Sequence, residues 1–166
     1  MLGTFHAAGK SLAYDLLKSP VKWLRNRLDY AVAVSDDAAE MARSALGGDY
    51  EILFNGVEVD RCISVDPWPK EVPTIFFVGR HEPRKGLSVL LDAMSYLPPD
   101  TQLWVASDGP ETTRLKVQVA GDHRVKWLGR ISEEEKLARM KGADIFCAPS
   151  LRGESFGVVL LEGMAF

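Results

Sequence analysis

Residues 74–148 alternate apolar segments with helical patterns, and this alternation constrains the fold more than any other feature of the sequence. The first segment, Thr74–Arg80, is a nearly unbroken apolar run, the pattern of a strand buried on both faces of a parallel sheet. Short strand–helix repeats predict βαβ units, in which ligands gather at the carboxyl ends of the strands. The other predicted strands are Gln102–Ala106, Arg124–Leu128 and Asp144–Ala148, and the predicted helices are Lys85–Leu97, Glu111–Val119, Glu133–Lys141 and one opening near Gly157.

A shorter set of elements precedes this region. Ser35 is predicted to cap a helix that runs to about Leu46, as Ser132 with Glu135 is predicted to form a capping box for the helix from Glu133. Pro67, Pro69 and Pro73 lie in a stretch with no visible periodicity, which indicates a linker. The other predicted elements are the end of a strand at Met1–Phe5, a helix over Ser11–Asp29 kinked or split at Pro20, and strands Tyr30–Val34 and Glu51–Phe54.

This pattern divides the chain into three parts. Residues 1–57 form one partial α/β layer, residues 58–73 the linker, and residues 74–166 a second α/β domain. We expect the isolated chain to be marginally stable or prone to aggregation, because sheet edges and apolar faces are left uncovered in this arrangement.

Composition excludes several classes of protein. The 166 residues carry a net charge of −3, so nothing draws the whole molecule toward nucleic acid. Cys62 and Cys147 stand apart in the sequence, which argues against a disulfide framework or a thiolate metal site and fits a reducing compartment. We see neither a secretory leader nor an apolar run long enough to cross a bilayer.

The charges are unevenly distributed near the start of the chain. Residues 1–30 carry five basic and two acidic groups, whereas residues 31–60 carry one basic and seven acidic groups. Lys18, Lys22 and Arg25 recur on one side of the first predicted helix, with Trp23 and Arg27 nearby. A solvated helix face explains this pattern, and contact with anionic lipid headgroups is the functional alternative.

Charged and small residues follow the predicted strands of the second domain. Arg80 ends one strand and Lys85 opens the next helix, Asp108 follows the second strand, and Glu154-Ser155-Phe156-Gly157 follows the last. Two cations beside a helix N-terminus favour a phosphate group. Each feature alone is equally typical of a solvated loop charge or an ordinary helix start; their combination at one sheet edge favours a phosphate site.

A second carboxylate, Glu162, stands eight residues after Glu154, in the second turn of the final predicted helix. A carboxylate can accept hydrogen bonds from two vicinal hydroxyl groups, as a ribose presents. Alone, Glu162 is better explained by a surface position on an amphipathic helix. Taken with the phosphate site, the pattern predicts a nucleotide sugar.

These motifs resemble a known family. Gly79-Arg80 followed by Lys85-Gly86, and Glu154-Ser155-Phe156-Gly157 with Glu162, are similar to the donor-site pattern of the retaining GT-B glycosyltransferases, of the glycosyltransferase family four type. Within this group the resemblance is strongest to the actinobacterial mannosyltransferases that act on phosphatidyl-myo-inositol. It covers almost the whole chain, because further similar segments are Gly3-Thr4-Phe5-His6, Ala33-Val34-Ser35 and Asn55-Gly56-Val57.

The resemblance implies roles for individual residues. Arg80 and Lys85 would bind the donor diphosphate and stabilise the leaving group, Glu162 would bind the ribose, and Glu154 would contact the transferred hexose. His6 would lie at the reaction centre, on the acceptor domain. The remaining donor-binding residues would be Gly79, Ser155, Phe156, Gly157 and Val158, partly through backbone N–H groups. His81 and His123 lie outside these motifs and are expected to be structural or solvated, and Ser107 stands where the family commonly has glycine.

The resemblance also implies the fold and the reaction. We expect a GT-B fold of two Rossmann-like domains with parallel sheets, both incomplete in a chain that would be an internal fragment. The parent enzyme would transfer a hexose, mannose from GDP-mannose, with retention, to a lipid or polyol acceptor such as phosphatidylinositol. We expect no dedicated metal or cofactor site, although a divalent cation is compatible, no nucleic-acid partner, and a cytoplasmic location with peripheral contact at the inner face of the plasma membrane.

Three alternatives remain open on the sequence. The first is an enzyme of the same fold that uses UDP-glucose or another UDP-sugar, because no motif in the sequence identifies the base of the nucleotide. The second is a non-catalytic fragment that binds a nucleotide sugar. The third, a dinucleotide-dependent dehydrogenase, is weak because no GxGxxG motif follows a predicted strand.

Overall fold

The structure is a computed structural model that describes residues 1–6, 18–152 and 157–166. It divides into two compact units. The first contains the described residues of Met1–Gly56 together with Gly157 and Val158, and the second contains Val57–Arg152 and Val159–Phe166.

Seven strands and seven α-helices lie in the described ranges. The strands are β1 (Leu2–Phe5), β2 (Tyr30–Ala33), β3 (Glu51–Ile52), β4 (Thr74–Val78), β5 (Gln102–Ala106), β6 (Val125–Gly129) and β7 (Ile145–Phe146). The helices are α1 (Lys18–Arg25), α2 (Asp36–Leu46), α3 (Val59–Ser64), α4 (Leu87–Ala93), α5 (Thr112–Gln118), α6 (Glu133–Gly142) and α7 (Val158–Met164). Two short 3₁₀ turns flank α4, at Pro83–Lys85 and Met94–Tyr96.

The first unit is built on a three-stranded parallel sheet in the order β1-β2-β3. Helix α2 packs on this sheet through its alanines, and the core contains Ala33, Val34, Ala38, Ala39, Ala42 and Tyr50. Ser35 caps α2 as predicted, because its Oγ accepts a hydrogen bond of 3.2 Å from the Ala38 N–H. The short side chains of α2 let the helix approach the sheet closely.

The first helix agrees with the prediction only in part. Its described portion is Lys18–Arg25, with Pro20 in the first turn of that portion, and it ends four residues before Asp29. Residues 11–17 of the predicted helix lie outside the described residues. Arg25 was placed on a basic outer face, but its Nη2 donates to the Asp49 carbonyl at 3.1 Å and its guanidinium lies 5.5 Å from the Tyr50 ring centre. Arg25 therefore belongs to the packing of its own unit.

The second unit is built on a four-stranded parallel sheet in the order β6-β5-β4-β7. Strand β4 lies inside the sheet, and Thr74, Ile75, Phe76 and Phe77 are all buried. The parallel α/β architecture and the two-sided burial of β4 are thus as predicted. Strand β5 has the predicted bounds, and the other strands differ from prediction by a few residues at their ends.

Alternate residues of β4 and β5 enter two separate cores, one on each face of the second sheet. Ile75, Phe77, Leu103 and Val105 pack with the apolar side chains of α4 and α5. Phe76, Trp104 and Ala106 pack on the opposite face with Cys62 of α3 and the buried residues of α6. This alternation follows from the two-residue period of a strand, which sends successive side chains to opposite faces of the sheet.

The predicted linker contains regular structure, which is a correction. Helix α3 covers Val59–Ser64 and buries Cys62 in the core of the second unit. Trp68 is fixed as well, since its backbone N–H donates to the Ala138 carbonyl at 2.8 Å. The helix escaped prediction because six residues with one buried position show no helical period.

The predicted helix over 85–97 is interrupted at Gly86. This residue has φ of +69°, and a Cβ built there would lie 2.0 Å from the Pro149 carbonyl oxygen. The left-handed backbone ends the 3₁₀ turn at Lys85 and starts α4 in a new direction. Across the described residues, no helix is both long enough and apolar enough to cross a bilayer.

Candidate functional site at the carboxyl edge of the second sheet

A polar cavity of about 710 Å³ lies where β4, β5 and β6 end. Its lining combines two guanidinium groups, one carboxylate and a small-residue loop. The lining residues are Arg80, Ser107, Asp108, Gly109, Pro110, Thr112 and Arg130. Its size is in the range of pockets that hold small molecules, and its position is the one that parallel sheets use for ligands.

Arg80 reaches this cavity from the end of β4, two residues beyond Val78. Its side chain is 68% exposed, and its Nε lies 3.0 Å from Glu82 Oε1. The ion pair holds the guanidinium near the cavity without burying it. Arg80 therefore lies where the sequence predicted a cation for a phosphate group.

Lys85 and Gly79 lie on the same connection. Gly79 directly follows β4, and Lys85 is the last residue of the 3₁₀ turn Pro83–Lys85, with a half-buried side chain. The turn between β4 and α4 is thus short and fixed at Gly86, so that both predicted cations belong to one connection at the carboxyl edge.

Asp108 lies between the two arginines and pairs with Arg130. Arg130 Nε donates to Asp108 Oδ2 at 2.8 Å and Arg130 Nη2 donates to Oδ1 at 3.2 Å, a two-point contact. The hydrogen bond from Arg130 holds the pKa of Asp108 below its ordinary value. Arg130 was missed by sequence reasoning, because a single arginine after a predicted strand resembles any solvated loop charge.

The backbone that positions this pair is irregular. The pairing of β5 with β6 shifts between Val105 and Ala106, so that Ala106 lies opposite Gly129. Beyond the shift, the Ser107 N–H donates to the Gly129 carbonyl at 2.6 Å. Ser107 has φ of +83° and is the one non-glycine residue with positive φ in the described ranges. Ser107, which stands where the resembled family commonly has glycine, therefore occupies a strained backbone position.

A buried histidine packs next to the residues that line the cavity. His81 is fully buried, with Nδ1 2.8 Å from Thr112 Oγ1 and Nε2 3.4 Å from the Ala106 carbonyl oxygen. Burial lowers the pKa of His81, because the charged ring would lose its hydration there. Gly109 packs on the His81 backbone, where an added Cβ would come within 2.6 Å of backbone atoms. His81 is thus structural, one of the two roles predicted for it.

Glu162 forms a second polar group on the same unit. Its Oε2 accepts from Lys136 Nζ at 2.8 Å, and both side chains are only 15% exposed. Burial of the ammonium opposes its charge, but hydrogen bonds with Glu133 and Glu162 outweigh this and raise the pKa of Lys136. Lys136 lies in the first turns of α6, which follows β6, so the pair places Glu162 toward the carboxyl edge.

Lys136 was also missed by sequence reasoning. Its one sequence signal is the i,i+3 spacing from Glu133, and that pair has a 2.7 Å contact. The contact with Glu162 spans 26 residues and left no sequence signal.

Several predicted site residues lie outside the described residues or are not among the described residues that line this cavity. Glu154, Ser155 and Phe156 lie outside the described residues. Gly157 is buried with φ of +73° and precedes α7, whose first residue Val158 is exposed. His6 directly follows β1 in the first unit and is exposed, as is His123 in the second. The roles assigned to all of these residues stay predictions.

Comparison with known proteins assigns the family. The family described as "Glycosyl transferases group 1" matches residues 61–166. The phosphatidyl-myo-inositol mannosyltransferase of Mycobacterium tuberculosis is 36% identical over 174 residues, which include 99% of this chain and 46% of that protein. The GDP-mannose-dependent monoacylated alpha-(1-6)-phosphatidylinositol monomannoside mannosyltransferase of Corynebacterium glutamicum is 28% identical, covering 95% of this chain and 48% of that protein.

A solved structure shows the same fold. The crystal structure of Anabaena Alr3699/HepE in complex with UDP and glucose superposes with a TM-score of 0.82 at 19% identity, over 99% of this chain and 50% of that one. At this identity the likeness concerns the fold. The chain spans about half the length of the relatives that it matches.

The chain has two parallel sheets flanked by helices, and one sheet has a polar cavity at its carboxyl edge. Together with the structural neighbours, this architecture defines the GT-B glycosyltransferase fold, as predicted. The family match covers more than half of the chain, and the mycobacterial relative matches it nearly from end to end. The chain belongs to the group 1 glycosyl transferases.

Proposed function

We propose that this chain carries the nucleotide-sugar site of a hexosyltransferase that moves mannose from GDP-mannose, with retention, to a lipid or polyol acceptor such as phosphatidylinositol. One observation carries the proposal: Glu162, a largely buried carboxylate, is held by Lys136 on the unit whose sheet edge also presents Arg80. A carboxylate fixed in this way suits a pair of ribose hydroxyls, and a guanidinium suits a phosphate. The names of the mycobacterial and corynebacterial relatives support mannose and phosphatidylinositol.

The residues would contact successive parts of the donor. Arg80 and Lys85 bind the diphosphate and offset the negative charge that grows on it as the sugar departs. Glu162 binds the ribose, Glu154 contacts the mannose, and backbone N–H groups near Phe156 and Gly157 contact phosphate or sugar. His6 contacts the sugar from the acceptor side. Gly79, Ser155 and Val158 complete the donor site.

Positively charged side chains would stabilise the diphosphate, a role for which other transferases use a metal ion. Arg80 and Lys85 supply two fixed cations on one short connection. We therefore expect transfer by the full-length protein to persist after exhaustive chelation with EDTA. Loss of transfer that Mg²⁺ or Mn²⁺ restores would contradict this part of the proposal.

The donor order is tested with two matched carboxylate variants of the full-length protein. Glu162→Gln keeps the shape but loses the charge at the ribose, so it should weaken binding of GDP and GDP-mannose alike in calorimetry. Glu154→Gln should leave the affinity for GDP nearly unchanged and lower the rate of transfer, because GDP lacks the sugar. Lys85→Ala should weaken GDP binding by about 1.5–3 kcal/mol through loss of a charge-assisted contact.

The outcomes separate the alternatives. If Glu154→Gln weakens GDP binding as much as Glu162→Gln does, the two carboxylates share one site and the proposed order is wrong. Tighter binding of UDP-glucose than of GDP-mannose would reassign the donor. Donor binding without any transfer would leave a binding function only.

Peripheral membrane contact is a separate part of the proposal. On α1, Trp23 and Leu24 are exposed beside Lys22, and the Arg27 guanidinium lies 4.0 Å from the Trp23 ring centre. Apolar rings flanked by cations suit an anionic lipid surface. A Lys22→Ser/Arg27→Ser variant should co-sediment less with vesicles rich in anionic lipid than Lys126→Ser does, and equal sedimentation would remove α1 from the proposal.

A further inference from the structure

The Asp108–Arg130 ion pair has no role in the proposed function, although it lines the same cavity as Arg80. Its two-point geometry is well formed, with contacts of 2.8 and 3.2 Å. The Arg130 side chain is nevertheless 81% exposed and that of Asp108 is 49% exposed. Ion pairs this exposed contribute little to stability, because water screens both charges. Stability therefore does not explain why the pair is so carefully positioned.

The positioning depends on an irregular backbone with one strained residue, Ser107. Ser107 adopts φ of +83°, a region that L-residues other than glycine avoid, and Gly129 adopts +69°. The register shift between β5 and β6 and the Ser107–Gly129 hydrogen bond bring the two following loop positions together. Bulges and strained residues of this kind concentrate at functional sites, where they aim a side chain at a ligand.

The charges around the cavity favour an anion. Arg80 follows β4 and Arg130 follows β6, so the two guanidiniums approach from opposite sides of the middle strand β5. Asp108, at the end of β5, is the one carboxylate among the described residues that line the cavity. A guanidinium has five N–H donors, and the contact with Asp108 uses Nε and Nη2, which leaves donors available to a ligand.

We infer that Arg130 is a further binding residue for the diphosphate of the donor, held in place by Asp108, whose own negative charge weakens the binding. This inference rests on the proposed function, since it assigns another residue to the same site. Removal of the guanidinium should weaken diphosphate binding, whereas removal of the Asp108 charge should strengthen it. The opposite signs distinguish this role from a structural ion pair, for which both changes would act in the same direction.

The test is calorimetry on the full-length protein with GDP, guanosine and inorganic pyrophosphate. Arg130→Gln should reduce the affinity for GDP about tenfold or more and leave that for guanosine unchanged, since guanosine has no phosphate. Asp108→Asn keeps one acceptor for Arg130 but removes the negative charge, and it should raise the affinity for GDP severalfold. Both effects should shrink as salt concentration rises.

A second ion pair of the same unit provides matched controls. Arg114 contacts Glu111 through Nε and Nη2 as Arg130 contacts Asp108, yet neither residue lines the cavity. Arg114→Gln and Glu111→Gln should leave the affinity for GDP unchanged. Circular dichroism and urea unfolding of each variant establish that the protein is folded before binding is compared.

Each outcome decides between the inference and the proposed function. If wild type binds GDP, Lys85→Ala binds it more weakly and Arg130→Gln binds it as tightly as wild type, the inference is overturned and the proposed function stands. Equal losses for GDP and guanosine in Arg130→Gln, or weaker GDP binding in Asp108→Asn, also overturn it. Binding of pyrophosphate that depends on Arg130, without binding of GDP, supports the anion site and overturns the function. Wild type that binds neither overturns both.

Discussion

The ammonium group of Lys136 lies 2.8 Å from the Glu162 carboxylate and joins two helices whose paired residues are 26 positions apart in the sequence. The same ammonium also lies 2.7 Å from Glu133, so one cation serves two carboxylates in a largely buried position. This arrangement fixes the side chain that we propose for the ribose, and it makes Lys136 a positioning residue.

Lys136→Met should therefore lower the free energy of unfolding by about 1–3 kcal/mol, because it leaves the largely buried Glu162 carboxylate without its charged donor. Urea unfolding followed by circular dichroism measures the change. Lys126→Met, on the exposed part of β6, is the control and should change stability little. Equal midpoints for the two variants would show that the Lys136 pair does not stabilise the fold.

Ser107→Gly should raise the free energy of unfolding by about 0.5–1 kcal/mol. Relief of the left-handed strain at φ of +83° stabilises the native state, and the greater freedom of glycine in the unfolded chain offsets part of that gain. Ser107→Ala keeps the strain and should lie near wild type in the same denaturation experiment. A glycine variant no more stable than the alanine variant would contradict the strained geometry.

His81 should make the protein less stable as the pH falls below about 6.5. Burial lowers its pKa in the folded state, so the unfolded chain takes up a proton that the folded chain resists. The stability that His81 contributes is fully present above the unfolded-state pKa and is lost at up to about 1.4 kcal/mol per pH unit below it, until the folded ring also protonates. Denaturation between pH 7.5 and 5 measures this slope.

His81→Asn should flatten that slope, whatever its effect on stability at pH 7.5. The carboxyl groups with lowered pKa, such as Asp108 and Asp144, lose their contributions only at lower pH and do not enter this window. His123→Asn, at an exposed position, serves as the control. A slope that His81→Asn leaves unchanged would assign the pH dependence to another group.

Trp68 should stabilise the second unit although it lies in the predicted linker. The Arg139 guanidinium lies 4.1 Å from the Trp68 ring centre and 4.8 Å from that of Trp104, and it is nearly buried. Trp68→Leu should lower the free energy of unfolding by about 1–2 kcal/mol through loss of the cation–π contact with the buried Arg139 guanidinium. Trp23→Leu, whose Arg27 contact is exposed, should have the smaller effect, and the reverse order would contradict this account.

Local features of the fold could be predicted because their causes lie within a few residues. The unbroken apolar run at β4 requires burial on both faces, and the structure confirms it. The hydroxyl groups of Ser35 and Ser132 cap their helices, because each accepts a hydrogen bond from the backbone N–H three residues later. Helix geometry fixes this contact. The second half of the predicted capping box is different: Glu135 binds Arg139, because a buried guanidinium is the stronger partner.

The candidate site was predictable only in part. Arg80, Lys85 and Glu162 carried a recognisable spacing, and Arg80 lines the cavity, while its role in donor binding stays a prediction. Arg130 and Lys136 had no such signal, since each is defined by a partner on another element. Asp108 and Glu162 are those partners, 22 and 26 residues away respectively.

The sequence by itself determined the parallel α/β class, the order of the elements and the residue types gathered at the strand ends, because hydrophobic period and strand–helix alternation are local properties. Only the tertiary structure decided which charges meet. The strand order β6-β5-β4-β7 and a one-residue shift in the pairing of β5 with β6 bring Arg130 to Asp108, and the packing of α7 near α6 brings Glu162 to Lys136. Register and packing depend on contacts between distant segments, and no local period specifies them.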